Sequence, residues 1–286
     1  MSERIVQANG VELCVETFGD RSDAPIFLIG GSSASMDWWE DEFCEGLAAG
    51  ARFVIRYDHR DTGRSVTYEP GAPDYTGRDL VDDAVSLLGT IGLARAHLVG
   101  ISMGGAIAQL VALDHPARVA SLTLISTSLA DRDRSDLPSM SEETAAQFAV
   151  AQPNWSDRAA AIDYMTHLAR VSASPARQFD EPAFRELAGR VFDRSTNLAA
   201  TMTNHNIIDP GDPPTRRLGD LETPALVVHG TDDPVLPFGH ALALAEEIPG
   251  AELLVLERTG HELPREAWDA VIPAILDHTG PSSAPD

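Results

Sequence analysis

A single serine stands between glycines in HLVGISMGGAIAQLVA, residues 97–112. Gly100-Ile101-Ser102-Met103-Gly104 fits the pattern G-x-S-x-G, at the point where an apolar run gives way to a helical one. A strand-to-helix turn of this kind can present one hydroxyl as a nucleophile. The turn forces the serine into a strained backbone, so the residues two before and two after it must lack side chains. Gly100 and Gly104 meet that need, and Gly105 lets the following helix pack closely. In isolation, a serine that merely caps a helix explains the residue equally well. The partners decide between the two.

A neutral serine needs a base, and the base needs an orienting acid. His261, in ERTGHELP, follows the last strand-like run and so falls at the same sheet end as Ser102. The other histidines fit less well. His97 and His229 fall in strands, His115 and His240 at helix ends, His167 and His205 in a central insertion, His59 early and His278 near the tail. The segment HGTDDPVLP offers Asp232 and Asp233 as the acid. Asp233 is preferred, because Pro234 biases it to extended backbone and so fixes its direction. Asp232 reads as an exposed turn residue. An oxyanion hole needs two N–H donors. Met103, directly after the serine, supplies one, and Gly31, in the loop IGGSSASMDWW, is the candidate for the other.

These groups need a scaffold that brings distant loops together. Residues 4–8 and 11–18 read as a hairpin around Asn9-Gly10, a favoured two-residue turn. Buried strands are expected at 25–30, 52–57, 96–100, 120–126, 224–229 and 252–256, and helices at 37–49, 77–91 and 102–114. Such alternation predicts an α/β fold, a mostly parallel eight-stranded sheet flanked by helices. Between 130 and 217 the strand signals vanish. Four short helices are expected there, with start signals at Ser139 (with Glu142), Ser156, Asp180 and Ser195. The expected organisation is a core of 1–129 and 218–278, a helical cap of 130–217 after the sixth strand, and a disordered tail of 279–286. Trp38, Met103, Tyr164, Phe192 and Leu236 are plausible pocket walls, though core packing explains each as well. The polar run Asn204-His205-Asn206 reads first as helix termination.

Composition narrows the classes. The 286 residues carry a net charge of −23, and the 21 basic residues are all arginine. That field repels phosphate backbones and anionic lipid, so neither nucleic acid nor membrane is an expected partner. The absence of lysine excludes Schiff-base chemistry and a lysine-bearing phosphate loop. Cys14 and Cys44 lack metal or redox spacing and read as buried thiols. The opening MSERIVQANG has no apolar segment of the secretory kind, and a cytoplasmic location is expected. No run approaches a membrane span.

The chain resembles the α/β-hydrolase family across nearly its whole length. Beyond the GISMGG elbow, RYDHRDTGRS at 56–65 is similar to a family segment that usually has Gly where Asp61 stands. PARVASLTLIST at 116–127 is similar to the family's sixth strand. The family usually has His-Gly before the second oxyanion donor, where this chain has Gly30-Gly31. Within the family, MSERIV, VEL at 11–13, the segment Gly30, Gly31, Trp38, Asp41 to Phe43, and RYDHRDTGRS resemble aclacinomycin methylesterase-like serine esterases. The insertion is much less alike. The resemblance implies Ser102, Asp233 and His261 as catalytic residues, Gly31 and Met103 as oxyanion donors, and a tying role for Asp58 to Arg60. The expected function is a serine hydrolase cleaving a small-molecule carboxylic ester, such as a methyl ester of a bulky polyketide-like acid, with no cofactor or metal. Alternatives are an enol-lactonase, a carbon–carbon bond hydrolase, a cofactor-free haloperoxidase or perhydrolase, and a non-catalytic ligand receptor on the same scaffold. Oligomeric state is not legible.

Overall fold

The computed structural model describes residues 3–131 and 135–280. Its centre is one eight-stranded sheet of order β1-β2-β4-β3-β5-β6-β7-β8. The strands are β1 Arg4–Ala8, β2 Val11–Phe18, β3 Ala24–Ile29, β4 Arg52–Tyr57, β5 Ala96–Ile101, β6 Val119–Ile125, β7 Ala225–Gly230 and β8 Glu252–Leu256. Asn9 and Gly10, at φ 47° and 77°, turn β1 into β2, which is why that dipeptide reads as a hairpin. β2 also pairs antiparallel with β4, and every later pairing is parallel.

Helices cover both faces because the parallel strands are apolar on both. On one face, α2 (Gly77–Thr90), α3 (Met103–Asp114) and α8 (Gly239–Glu247) bury Leu80, Leu87, Ile107, Val111 and Leu244 against Phe27, Ile55 and Leu122. On the other, α1 (Asp41–Ala49) and α9 (Trp268–His278) bury Phe43, Leu47, Val271 and Ile275 against Ile26, Leu28 and Val228. The helix expected over 37–49 is broken. A short turn at Met36–Trp38 precedes α1, and the carbonyl of Trp39 turns aside to accept from the Arg56 guanidinium.

Between β6 and β7 lie α4 (Glu142–Phe148), α5 (Arg158–Ser172), α6 (Glu181–Arg194) and α7 (Leu198–Thr203). Asp180 caps α6 as expected, but three other starts differ. Ser141 rather than Ser139 caps α4, Asp157 rather than Ser156 caps α5, and Asn197 rather than Ser195 caps α7. The segment has a small core of its own, with Ala161, Ile162, Met165, Leu187 and Val191. Arg194 fastens it to the sheet, placing its guanidinium 2.6 Å from Glu3, 3.1 Å from Asp37 and 2.6 Å from Asp58.

Thr279, expected in a tail, is buried instead and donates to the carbonyl of Ile275. The rest of that expected tail, 281–286, lies outside the described residues. Cys14 and Cys44 are buried free thiols, and burial pushes both up to about 12. Among the described residues no helix is long and apolar enough to cross a membrane.

The loop after β4 is the tie that its sequence suggests. Asp58 accepts from the backbone N–H groups of Met36 and Arg64, and Arg60 grips Asp83 with two bonds of 2.7 Å. His59 is enclosed here, and burial holds it down to about 3. The unfolded chain protonates this residue below pH ~6.5, while the folded chain resists until about 3. Stability is therefore expected to fall as pH drops through that window, at up to about 1.4 kcal/mol per pH unit for such a histidine. Urea unfolding between pH 7 and pH 5 checks this; a midpoint that rises on acidification contradicts it.

Candidate active site

Parallel strands end on one side of a sheet, so the loops after β3, β5, β7 and β8 meet there. They carry Gly31, Ser102, Asp233 and His261 respectively. Ser102 sits at φ 52° and ψ −119°, immediately before α3. Its hydroxyl makes no helix-capping hydrogen bond. Instead Oγ lies 3.0 Å from His261 Nε2. The reading of Ser102 as an ordinary cap falls on that observation.

The glycines account for how tightly the elbow is wound. A Cβ on Gly100 would lie 2.2 Å from the carbonyl oxygen of Gly104, and one on Gly104 would lie 2.2 Å from that of Ile29. A Cβ on Gly105 would meet the Thr127 side chain at 2.6 Å. The chain can cross itself here only without side chains. Gly100→Ala is therefore expected to cost about 3 kcal/mol of unfolding free energy. Urea denaturation measures this, and a loss under about 1 kcal/mol means that the elbow relaxes.

The imidazole of His261 is gripped on both sides. Nδ1 lies 2.8 Å from Asp233 Oδ2, which fixes Nε2 as the acceptor facing Ser102. Asp233 is itself oriented, since Oδ1 accepts from the N–H groups of Val235 at 2.9 Å and Leu236 at 2.8 Å. Burial alone would raise its carboxyl. Hydrogen bonding from His229 and His261, with the Leu236 N–H, outweighs that and holds it well below the usual carboxylate range.

Asp232 is engaged by other partners. Its Oδ2 accepts from Ser174 Oγ at 2.6 Å, so it clips the segment after α5 rather than facing solvent as a turn residue. The same segment holds the base loop, because the carbonyl of Ser172 accepts from the backbone N–H of His261 at 2.8 Å. A Cβ on Gly260 would lie 2.3 Å from that carbonyl.

His229 reads from sequence as a strand residue, with no sign of a contact with the acid. It is fully buried at the end of β7, with Nε2 2.8 Å from the carbonyl of Leu236 and 3.2 Å from Asp233 Oδ2. Its N–H closes the acid loop from beneath and lays a positive edge against the carboxylate. Its spacing of four from Asp233 was the available signal, but in a strand-and-turn segment that spacing does not imply contact.

On the oxyanion side, Gly31 is buried beside the serine, and a Cβ built on it would lie 3.5 Å from Ser102 Cβ. Met103 opens α3, with its N–H directly after the serine. Such N–H groups, aided by the positive end of the helix, can stabilise a developing oxyanion. Three of the pocket candidates meet the insertion's aromatic cluster. Trp38 is half-exposed against Phe184, Tyr164 packs edge-on against Trp155, and Phe192 packs on the insertion's own core. Leu236 serves the acid loop through its backbone. Among the described residues no cluster of His, Cys, Asp and Glu is arranged to hold a metal ion.

Residues 24–266 match the family model of the alpha/beta hydrolase fold. The chain belongs to the α/β-hydrolase family. This α/β-hydrolase is 33% identical to rhodomycin D methylesterase DauP from Streptomyces sp. strain C5, over 98% of each chain. It is 32% identical to rhodomycin D methylesterase DnrP from Streptomyces peucetius, again over 98% of each. Among solved structures, the esterase EaEST from Exiguobacterium antarcticum superposes with a TM-score of 0.75 at 21% identity, covering 96% of this chain and 98% of that one. The relatives support an ester hydrolase.

Proposed function

We propose that this α/β-hydrolase cleaves the methyl ester of a bulky, largely apolar acid through an acyl-enzyme on Ser102. The observation that carries the reading is the unbroken relay from Ser102 Oγ to His261 Nε2 at 3.0 Å and from His261 Nδ1 to Asp233 Oδ2 at 2.8 Å. His261 takes the hydroxyl proton as Oγ attacks the ester carbonyl, and Asp233 stabilises the imidazolium. The N–H groups of Gly31 and Met103 receive the oxyanion. Collapse of the tetrahedral adduct expels the alcohol, which leaves with the proton from His261. Water then gives its proton to His261 as it attacks the acyl carbon, and collapse of this second adduct returns that proton from His261 to Ser102 Oγ as the acid is released.

Residues 130–217 act as the cap over this site and choose the acyl group. The methyl ester is favoured because two relatives matched over nearly their whole length are named as methylesterases. Buried free thiols and the acidic surface support a reducing, cytoplasmic setting without a nucleic-acid or membrane partner.

The test is a screen of purified protein against methyl, aryl and lactone esters of graded acyl size, with Ser102→Ala as the blank. Methanol release from methyl esters of large ring acids is expected to be fastest. A preference for lactones redirects the reading to an enol-lactonase, and no Ser102-dependent turnover of any ester ends it.

A further inference from the structure

The loop that carries Gly31 is pinned from two directions. From the core, His59 Nε2 lies 3.1 Å from the carbonyl of Gly30. From the insertion, His205 Nδ1 accepts from the backbone N–H of Ser33 at 3.0 Å. The roles of His205 are unambiguous, because its Nε2 lies 2.8 Å from the carbonyl of Arg60 and must carry the proton. Ser33 sits at φ 59°, a left-handed conformation that a serine keeps only when its surroundings hold it. The His205 bond is that hold.

His205 is itself well anchored. It is buried, with the rings of His59 and Tyr75 edge-on at 6.0 and 6.4 Å. Its neighbour Asn204 donates to Asp61 Oδ2 at 2.9 Å and accepts from the Gly71 N–H at 2.8 Å. Asp61 also accepts from the hydroxyl of Tyr75 at 2.7 Å. The polar run at 204–206 therefore reaches past the end of its helix to the loop that frames the reacting carbonyl.

We propose that His205 is a positioning residue of the oxyanion hole: by fixing Ser33, two residues on, it aims the Gly31 N–H at the developing oxyanion. The insertion that selects the ester then also completes the geometry that hydrolyses it. This rests on the ester-hydrolase reading.

His205→Asn, His205→Gln and His205→Leu separate the functions of the ring. Asparagine keeps an acceptor near the position of Nδ1, glutamine keeps a donor near that of Nε2, and leucine keeps neither. Steady-state kinetics on the best ester from the screen are paired with inhibition by a trifluoromethyl ketone carrying the same acyl group. That ketone adds to Ser102 and presents an oxyanion. For leucine and glutamine, kcat is expected to fall about 10- to 100-fold with KM within about twofold, and ketone affinity to fall by the same factor as kcat/KM. Asparagine is expected to recover most of the loss.

The proposal is overturned if the glutamine variant keeps wild-type kcat and ketone affinity. It is equally overturned if asparagine loses as much as glutamine, or if KM rises while kcat holds. Should the leucine variant not fold, the glutamine and asparagine pair decides alone. Wild-type protein with no Ser102-dependent turnover refutes the underlying reading. Active wild type with unaltered His205 variants refutes only this proposal.

Discussion

Replacing Ser102 by alanine is expected to lower kcat by about 10⁶-fold while leaving the fold intact. Both halves follow from the hydroxyl's surroundings. Oγ makes its contact with His261 Nε2 at 3.0 Å and gives nothing to the helix it precedes, so its loss uncaps nothing. The elbow's backbone ties remain, with Ser102 N–H donating to the carbonyl of Ile125 at 2.9 Å and Thr127 Oγ1 donating to the carbonyl of Ser102 at 2.8 Å. Alanine at φ 52° is no more strained than serine. Without a nucleophile, the donors of the oxyanion hole still act on a water-mediated path, which leaves about 10³-fold acceleration over water. Ester hydrolysis and thermal unfolding of the same preparation make the test. Activity within tenfold of wild type, with the melting temperature unchanged, shows that another group attacks.

Much of this arrangement is legible in the sequence because it depends on local rules. Apolar runs of five to eight residues separated by helical periods dictate a parallel sheet, and such a sheet delivers its loops to one side. Ser102, Asp233 and His261 lie 159 and 28 residues from one another along the relay, yet each follows a strand, so topology alone predicts their meeting. The Gly100 and Gly104 spacing is legible for the same reason, since the turn fixes which Cβ atoms collide.

What escaped depends on choices between local equals or on distant contacts. Ser139 and Ser141, Ser156 and Asp157, and Ser195 and Asn197 are neighbouring pairs of good caps, and the winner follows from how each helix packs. Pro234 marks Asp233 as the acid from sequence, but the bond of Asp232 to Ser174 spans 58 residues and has no local signal. His205 reaches Ser33 across 172 residues, from a segment that lacks the strand periodicity that made the core predictable. The break at Trp39 depends on Arg56 needing its carbonyl, which no helical pattern encodes.

Asp233→Asn is expected to lower kcat by about 10⁴-fold, and Asp232→Asn by less than about tenfold. The asymmetry comes from which oxygen each site needs. At Asp233, the N–H groups of Val235 and Leu236 both point at Oδ1, and only an oxygen can receive them. An asparagine must therefore keep its carbonyl there and turn its amide NH₂ toward His261. Facing a donor, Nδ1 becomes the acceptor and the ring proton moves to Nε2, where it faces Ser102 Oγ. That tautomer cannot take the serine's proton. The Nε2–H of His229, 3.2 Å from Oδ2, meets the same amide donor to donor, so stability should fall as well. At Asp232 the partners are hydroxyls, Ser174 Oγ at 2.6 Å and Thr231 Oγ1 at 3.1 Å, and these can rotate to donate or accept. An asparagine there satisfies both. The two variants, assayed on one ester above the acid limb of the pH profile, assign the acid. Loss confined to Asp232→Asn would transfer the role to Asp232, against the 2.8 Å bond that joins Asp233 to His261.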